Sequence, residues 1–490
     1  MQRKFSWIVL WSLVLFSQCS DFLAVNIDPN NPTEVDVNLI IPSAQLHIAG
    51  IVNGDFGIVG GIWSQHWTQS HVASQYREED RYALRNTDYN TAWADLYSDA
   101  LIDLAVVRKK SAEANNWAAY LQATSLMAYT YQIVVDFYDQ IPFQEALRSD
   151  EGIEAPKFDD GVQVYDGLIN MLDEALNKDI YAPTSLAIGT DFVFGHLSKS
   201  NQIDAWVRFA NTLKLKIYLR QTKVRPQVAK AGIENLLSSK TSFLATPAKI
   251  SVFIDEANKS YPLYETDRRQ LNVRSNLRAS HTFLSFLQEN SDPRLNIYFT
   301  PGSNGHFGLL QGDFNALTSV IAPAAPSVAN LSPTSSFYFF TLDDIYFMLS
   351  EAHLRFGDSR EAQNYYRLAV TGAFSRVGAD LQDFLEPGGA YAYPDANFTE
   401  RLHAIMTQKW VAAVERGYES FFDQNRTGIP AISPVRGDDP AYVPGQLTYS
   451  ITGSTGSLFP KRLIFPDITR RNNPNTPAEV PLTVPVWWAK

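Results

Sequence analysis

Helical periodicity, arriving in adjacent pairs of segments, constrains this chain more than any other feature. Over 89–107, Trp93, Leu96, Tyr97, Ala100, Leu101, Leu104 and Val107 recur at three- and four-residue spacing and so share one helical face. The Asn86-Thr87 pair supplies a cap candidate, and a second helix is predicted over 114–136. A third covers 161–175, through Tyr165, Leu168, Ile169 and Leu172. A fourth covers 203–219, through Trp206, Phe209, Ala210, Leu213 and Ile217. Pro226 starts a fifth, to about residue 237, and an earlier helix is expected over 38–51. The pattern returns at 343, with Asp343 or Asp344 as cap. Ile345, Leu349, Ala352, His353 and Phe356 make one face, with His353 read as a satisfied core or interface histidine. After the Gly357-Asp358-Ser359 turn, Ala362, Tyr365, Tyr366, Ala369, Val370 and Ala373 make its partner. Long helices paired through short turns are the appearance of a tetratricopeptide-type solenoid, in which each hairpin buries its stripe against the next. No unit carries the strict tetratricopeptide consensus, so the pairing is degenerate. The predicted fold class is mainly α: a tetratricopeptide-like helical solenoid with a loop-rich irregular lobe.

The chain has 490 residues, 45% of them apolar, enough for a large core. Its net charge is −11, and no long Lys/Arg run follows the N-terminus. Nucleic acid is therefore not an expected partner, because phosphate binding needs clustered cations. Aromatic residues are 13%, in excess of what a core alone demands. Flat rings also pack on the C–H faces of sugars, and Tyr and Trp add a polar edge that hydrogen-bonds at the same contact.

Arg3 and Lys4 precede an apolar segment, 5–16, too short for a bilayer span of roughly twenty residues but suited to a secretory signal. Ser17-Gln18-Cys19 follows, and Cys19 is the single cysteine, so no internal disulfide can form. The segment resembles a bacterial lipobox, with Phe16 and Gln18 departing from the usual Leu and small residue. The plain alternative is a signal peptide with an incidental cysteine. We expect residues 1–18 to be a lipoprotein signal peptide and Cys19 to be acylated, since each buried methylene contributes roughly 0.8 kcal/mol and two or three chains anchor a protein stably. Further on, Asp28-Pro29-Asn30-Asn31-Pro32-Thr33 is a turn; Pro32 and Thr33 break the EF-hand pattern.

Between 62 and 76, Trp63, Gln65, His66, Trp67, Gln69, His71 and Tyr76 crowd together. They read either as a polar-aromatic patch for a ligand or as helix packing with exposed Gln and His. Two His five apart, with no Cys or Glu at ligand spacing, do not make a metal site. Residues 240–340 are rich in Gly, Pro, Ser and Asn, with helical spacing only over 281–287. So long an irregular stretch is functional or disordered, and its aromatics argue against disorder. Tyr298, Phe299, Phe307 and Phe314 are its candidate ligand platforms, beside Trp63, Trp67 and Tyr76, although each of the four taken singly reads as core before ligand contact.

The segment 408–430 reads QKWVAAVERGYESFFDQNRTGIP. Leu402, Ile405, Met406, Trp410, Ala413 and Val414 share a helical face that Phe421 and Phe422 extend through Gly417, until Gly428 and Pro430 stop the helix. Glu415, Arg416, Glu419, Asp423 and Arg426 lie opposite, at spacings that allow Arg416–Glu419 and Asp423–Arg426 pairs; the bland reading is a solvated face, the more specific one a structural motif that ties the last helix to the irregular C-terminal segment. The pattern G-x-E-x-F-x-D-x-x-R-T-G-x-P resembles the C-terminal motif of the SusD/RagB family, with Asn425 where an Arg is usual. Residues 39–45 resemble that family's first-helix signature. The run 136–146 resembles its D-x-Y-G-x-I-P-Y-x-E-A loop, with Asp139 for Gly and Phe143 for Tyr; Asp136 and Asp139 are read as loop and cap residues. Asp292-Pro293-Arg294-Leu295 resembles its D-P-R-L step, 306–312 its G-x-x-x-G loop, and 351–366 its best-defined helix pair. Residues 459–466 resemble its closing R-R-x-x-Y-P strand, with Lys461 for the first Arg and Phe465 for Tyr.

The resemblance covers most of the mature chain in the family's order. It implies a right-handed solenoid with helices at about 38–240 and 343–426 and a loop-rich lobe at about 241–342 and 427–490. It implies a lipid-anchored protein of the outer membrane's outer surface that binds an oligosaccharide, or alternatively a peptide. That ligand would pass to a SusC-type TonB-dependent transporter, over which the protein sits as a lid. No G-x-S-x-G, H-E-x-x-H or phosphate-loop pattern is present, so no catalytic residue, cofactor or metal is expected. A glycosidase, needing two placed carboxylates, and a helical scaffold binding only proteins are the competing classes.

Overall fold

The computed structural model describes residues 36–239, 241–270 and 276–490. The signal segment, Cys19 and the 28–33 turn fall outside them. Asp36 caps the first helix, α1 (Val37–Asn53), by accepting the Asn38 N–H at 2.9 Å. Gly54 separates it from α2 (Asp55–Trp63), buried at every position after its first. The next stripe is not one helix. α3 (Asn90–Asp95) passes through a π-helical turn, Leu96–Leu101, into α4 (Ile102–Glu113). Its N-cap is Tyr89, without a side-chain bond, so the Asn86-Thr87 cap does not form.

Asn116 caps α5 (Trp117–Tyr138), which is buried at every position after its first. It packs on α4, α6 (Gly161–Leu176) and α7 (Lys199–Arg220), and α7 turns into α8 (Pro226–Ser238). A short α9 (His281–Glu289) stands in the irregular region. α10 (Leu342–Phe356) and α11 (Ser359–Val377) pack on one another as a helix pair. Thr341, rather than either aspartate, caps α10 through Oγ1, leaving Asp343 for Arg376 and Asp344 for Arg416. His353 stacks on Tyr365, with ring centroids 5.5 Å apart, and accepts the Asp358 N–H.

The irregular region contains a sheet that period-two patterning does not reveal, because its strands are two to three residues long. β1 (Trp67–Gln69) pairs antiparallel with β5 (Leu277–Ala279), which pairs with β7 (Val328–Ala329), which pairs with β6 (Phe299–Thr300). Two further antiparallel pairs join β2 (Gln140–Pro142) to β3 (Phe158–Asp160) and β4 (Ala248–Ile250) to β8 (Phe337–Phe340).

The C-terminal helix breaks where the apolar stripe suggested continuity. α12 (Phe398–Ala412) ends, a 3-10 turn covers Val414–Arg416, and α13 (Gly417–Thr427) starts afresh. The break lets α13 cross α2 backbone to backbone. A Cβ on Gly417 would lie 2.4 Å from Gly61 Cα, and one on Gly60 would lie 2.3 Å from Tyr418 N. Only glycine admits that approach.

The charged face of α13 is not solvated. Glu419 pairs with Lys216 and, at 2.8 Å, with Arg220 of α7. Asp423 pairs with Arg426 at 2.9 Å and Lys409 at 2.8 Å, and Arg426 reaches Glu351 of α10 at 2.5 Å. Arg416 turns to Asp344 at 2.8 Å, so the Arg416–Glu419 pair does not form while Asp423–Arg426 does. All of these groups are buried. Each desolvated charge is met by an opposite one, the condition for keeping ions inside a core.

The last residues close the frame. Asp136 is buried and accepts from Tyr165 Oη at 2.5 Å and Trp488 Nε1 at 2.8 Å. Burial outweighs its Arg220 partner and lifts its carboxyl to about 6. Asp139, the α5 C-cap at φ 72°, accepts the Trp487 N–H at 2.6 Å. Asp136 is thus a core tie rather than a loop residue, and Asp139 is a cap.

Candidate functional site

Six of the seven aromatic residues singled out from sequence face inward. Trp63, Trp67, Tyr76, Tyr298, Phe299 and Phe314 are each at most 8% exposed, so none presents a ring face to solvent. Trp63 packs on Phe421 and donates from Nε1 to Glu79 O at 3.1 Å. Trp67 covers Gly61, Phe299 sits in β6, and Phe314 lies under the Arg77 guanidinium. The lobe buries these rings together with aliphatic side chains such as Ile250, Leu277, Leu284 and Leu287. Phe307 alone is exposed, at 42%.

The polar members of the 62–76 cluster are also internal. Gln65 accepts from Thr282 Oγ1 at 2.6 Å and the Thr448 N–H at 3.0 Å, tying α2 to α9 and the C-terminal segment. His66 lies against Trp410 O at 2.9 Å, and burial lowers its pKa to about 3, so it is neutral. Asp80, the hub of the lobe, accepts from Thr68 Oγ1 and the Gln69 and Gly312 amides. The segment packs, but its Gln and His are buried partners in that packing rather than exposed residues.

A cavity lies away from these rings. A cleft of about 760 Å³ opens between α1, α3 and the segment 252–270. Leu46, Ile51, Phe192 and Phe253 give it apolar ground. Asp55, Asp88, Asp95 and Glu265 supply carboxylates, while Asn258, Gln270, Thr91 and Thr266 add amides and hydroxyls. Ser260 Oγ donates to Glu265 Oε2 at 2.7 Å, fixing that wall. Burial, with Asp95 beside it, raises Asp55 to about 6. Burial and Asp99 raise Asp95 as well. Mixed apolar ground with convergent polar groups is the make-up of a small-molecule site. Its carboxylates and amides suit a ligand rich in hydroxyl donors.

None of the seven aromatic candidates lines this cleft. Its residues come from four separated segments, 46–55, 88–95, 192 and 252–270, and form no run. The one local signal is Asp55, the only charge in the otherwise apolar α2. Among the described residues, no cluster of three or more His, Cys, Asp or Glu is placed to hold a metal ion.

Residues 29–450 match a SusD-like family model described as starch-binding and associating with the outer membrane. Among curated proteins, no significant sequence match is found. Solved structures match over nearly the whole chain. A SusD homologue from Bacteroides uniformis is 20% identical, with a TM-score of 0.74 over 93% of this chain and 100% of that one. A chitin-binding SusD homologue from Flavobacterium johnsoniae is 21% identical, with a TM-score of 0.71 over 93% and 97%. A SusD homologue from Bacteroides thetaiotaomicron is 18% identical, with a TM-score of 0.70 over 93% and 99%. At these identities the likeness establishes the mainly helical, tetratricopeptide-like fold, while the family match extends across most of the chain. The chain belongs to the SusD-like family of outer-membrane-associated, glycan-binding proteins, and is a binding protein rather than an enzyme.

Proposed function

We propose that this protein captures an oligosaccharide at the cell surface in the cleft between α1, α3 and residues 252–270. It then passes the ligand to a SusC-type TonB-dependent transporter, closing over the barrel as a lid. The observation that carries this reading is the cleft's lining: four carboxylates with amides and hydroxyls over an apolar ground. Sugar hydroxyls donate to such carboxylates, and C–H faces rest on Phe192 and Phe253. The exposed Phe307 is a further contact for ligand or transporter. Acyl chains on Cys19 hold the protein to the outer membrane, leaving the solenoid as the frame. Binding and release make up the whole cycle, with no bond broken.

Affinity electrophoresis on a panel of plant, fungal and animal glycans tests this, with reducing-sugar release measured in parallel. Retardation without release is expected, and Asp55→Asn weakens it. Release of sugar, or a co-purifying protein with no glycan retarded, points instead to an enzyme or a scaffold.

A further inference from the structure

The cleft between α1, α3 and residues 252–270 carries more negative charge than its own cations answer. Its charged lining is Asp55, Asp88, Asp95, Glu265 and a single cation, Lys259. Lys259 is already paired, with Glu256 at 2.7 Å, and Glu256 is not part of the lining. Asp88 is met by Arg85 at 3.0 Å. Glu265 is met by Ser260 Oγ at 2.7 Å and Arg269 at 3.7 Å. Asp55 and Asp95 are left over: among the described residues, neither has an ion-pair partner. Asp55 instead has Asp95 beside it, and Asp95 has Asp99. The one base whose charge acts on either is His47, exposed on α1, which acts on Asp95.

Local structure accounts for only half of this pair. Asp55 opens α2, where the free N–H groups of a helix start favour a carboxylate. Asp95 has no such support, because α3 runs on through the π-helical turn into α4 and no helix begins there. Neighbouring carboxylates partly withdrawn from water repel each other. Sugar hydroxyls can bond to them but bring no charge to relieve the repulsion. An ammonium brings both a positive charge and several N–H donors. A divalent metal ion fits less well. It takes about six or more oxygen ligands, and among the described residues no group of three or more His, Cys, Asp or Glu could hold one.

We propose that the cleft selects an amine-bearing oligosaccharide, with an ammonium seated against Asp55 and Asp95 and sugar rings resting on Phe192 and Phe253. This rests on the glycan-binding reading above and names a ligand class for the same cleft. Calorimetric titration of the mature protein at about pH 6, where such amines are mostly protonated, tests it. The probes are two hexasaccharides that differ only in acetylation, one of glucosamine and one of N-acetylglucosamine, with tetralysine as a third. The glucosamine chain is expected to bind at least about tenfold more tightly than its acetylated twin, or about 1.4 kcal/mol. Asp55→Asn and Asp95→Asn each remove most of that preference. Both substitutions relieve a like-charge contact, so melting temperatures hold or rise and a lost preference cannot be unfolding. A chain of net charge −11 attracts any polycation, so Glu289→Gln, at an exposed carboxylate of α9 outside the cleft, serves as control and leaves the preference intact. Equal affinity for the two hexasaccharides, or a preference that survives both aspartate substitutions, overturns the amine and leaves the cleft as a site for neutral glycans. Asp55-dependent binding of tetralysine with neither hexasaccharide bound assigns the cleft to a basic peptide and overturns the glycan reading as well. Binding of none of the three removes amino sugars, acetylated or not, as the ligand.

Discussion

Lys461 donates from Nζ to Asn425 Oδ1 at 2.7 Å. These are two positions where the sequence departs from the family pattern, each replacing an arginine, and in space they meet. An Arg at 425 would set two cations together; Asn instead accepts from the lysine. Burial first, then Lys223, lowers the Lys461 pKa from 10.5 to about 8. Between pH 8 and 10.5 the unfolded chain thus holds a proton that the folded chain has lost, and stability rises with pH. Measured against Lys461→Met by urea unfolding, the native protein should gain up to about 3 kcal/mol across that window. A difference that stays flat with pH would show that the ammonium is not desolvated.

The buried ion network makes an acid-side prediction. Glu351 accepts from Arg426 and, at 2.7 Å, from Arg355. Burial alone would raise its carboxyl, but Arg426 and then Arg355 overcome this and hold it at about 2. Its contribution is complete above pH 4.5 and is lost as pH falls toward 2. Glu351→Gln leaves Arg426 under-compensated, so about 3–5 kcal/mol of stability is lost at neutral pH. Thermal melts of both proteins should converge as pH falls through that window.

The frame was legible in sequence because helical stripes carry their own period: Trp206, Phe209, Leu213 and Ile217 mark α7 without help from neighbours. What sequence hid was decided by tertiary contact. Residues 413–416 lie inside an unbroken apolar stripe, yet the helix breaks there because Gly417 must meet Gly61. The charges of α13 could be read as structural, but their partners could not be named, because Lys216, Arg220 and Glu351 lie far away in the chain. Rings in the irregular region could serve surface or core, and most pack into that lobe's core beside aliphatic side chains such as Leu277 and Leu287. The cleft gave little sign, since its walls assemble from short pieces whose polar residues are unremarkable one by one.

Glycine-to-alanine changes should split by location. At Gly60 and Gly417 an added methyl meets backbone, which cannot move aside as a side-chain end can. Overpacking of this kind costs about 1–3 kcal/mol and more where backbone must shift, so both variants should melt well below the native protein. Gly50, in α1, has nothing within 4 Å of the new methyl. There alanine improves helix propensity by up to about 1 kcal/mol, and the melting temperature should hold or rise. Equal effects at all three positions would mean that α13 does not cross α2 as described.

The cleft's chemistry gives glycan binding a pH dependence. Burial, reinforced by Asp95, holds the Asp55 carboxyl at about 6, so near neutral pH a small change switches it between acid and carboxylate. A sugar hydroxyl donating to Asp55 favours the ionised form, because a carboxylate accepts where a carboxylic acid competes as a donor. Binding therefore releases a proton below pH 6, and affinity should rise by up to about tenfold from pH 5 to 7. Asp55→Asn keeps the shape but cannot ionise, so its affinity should be lower at pH 7 and should not rise over that range. Calorimetry in two buffers of different ionisation enthalpy reads the proton directly. A native affinity that is the same at pH 5 and pH 7 would place the hydroxyl donors away from Asp55, against Asp88 or Glu265 on the facing walls.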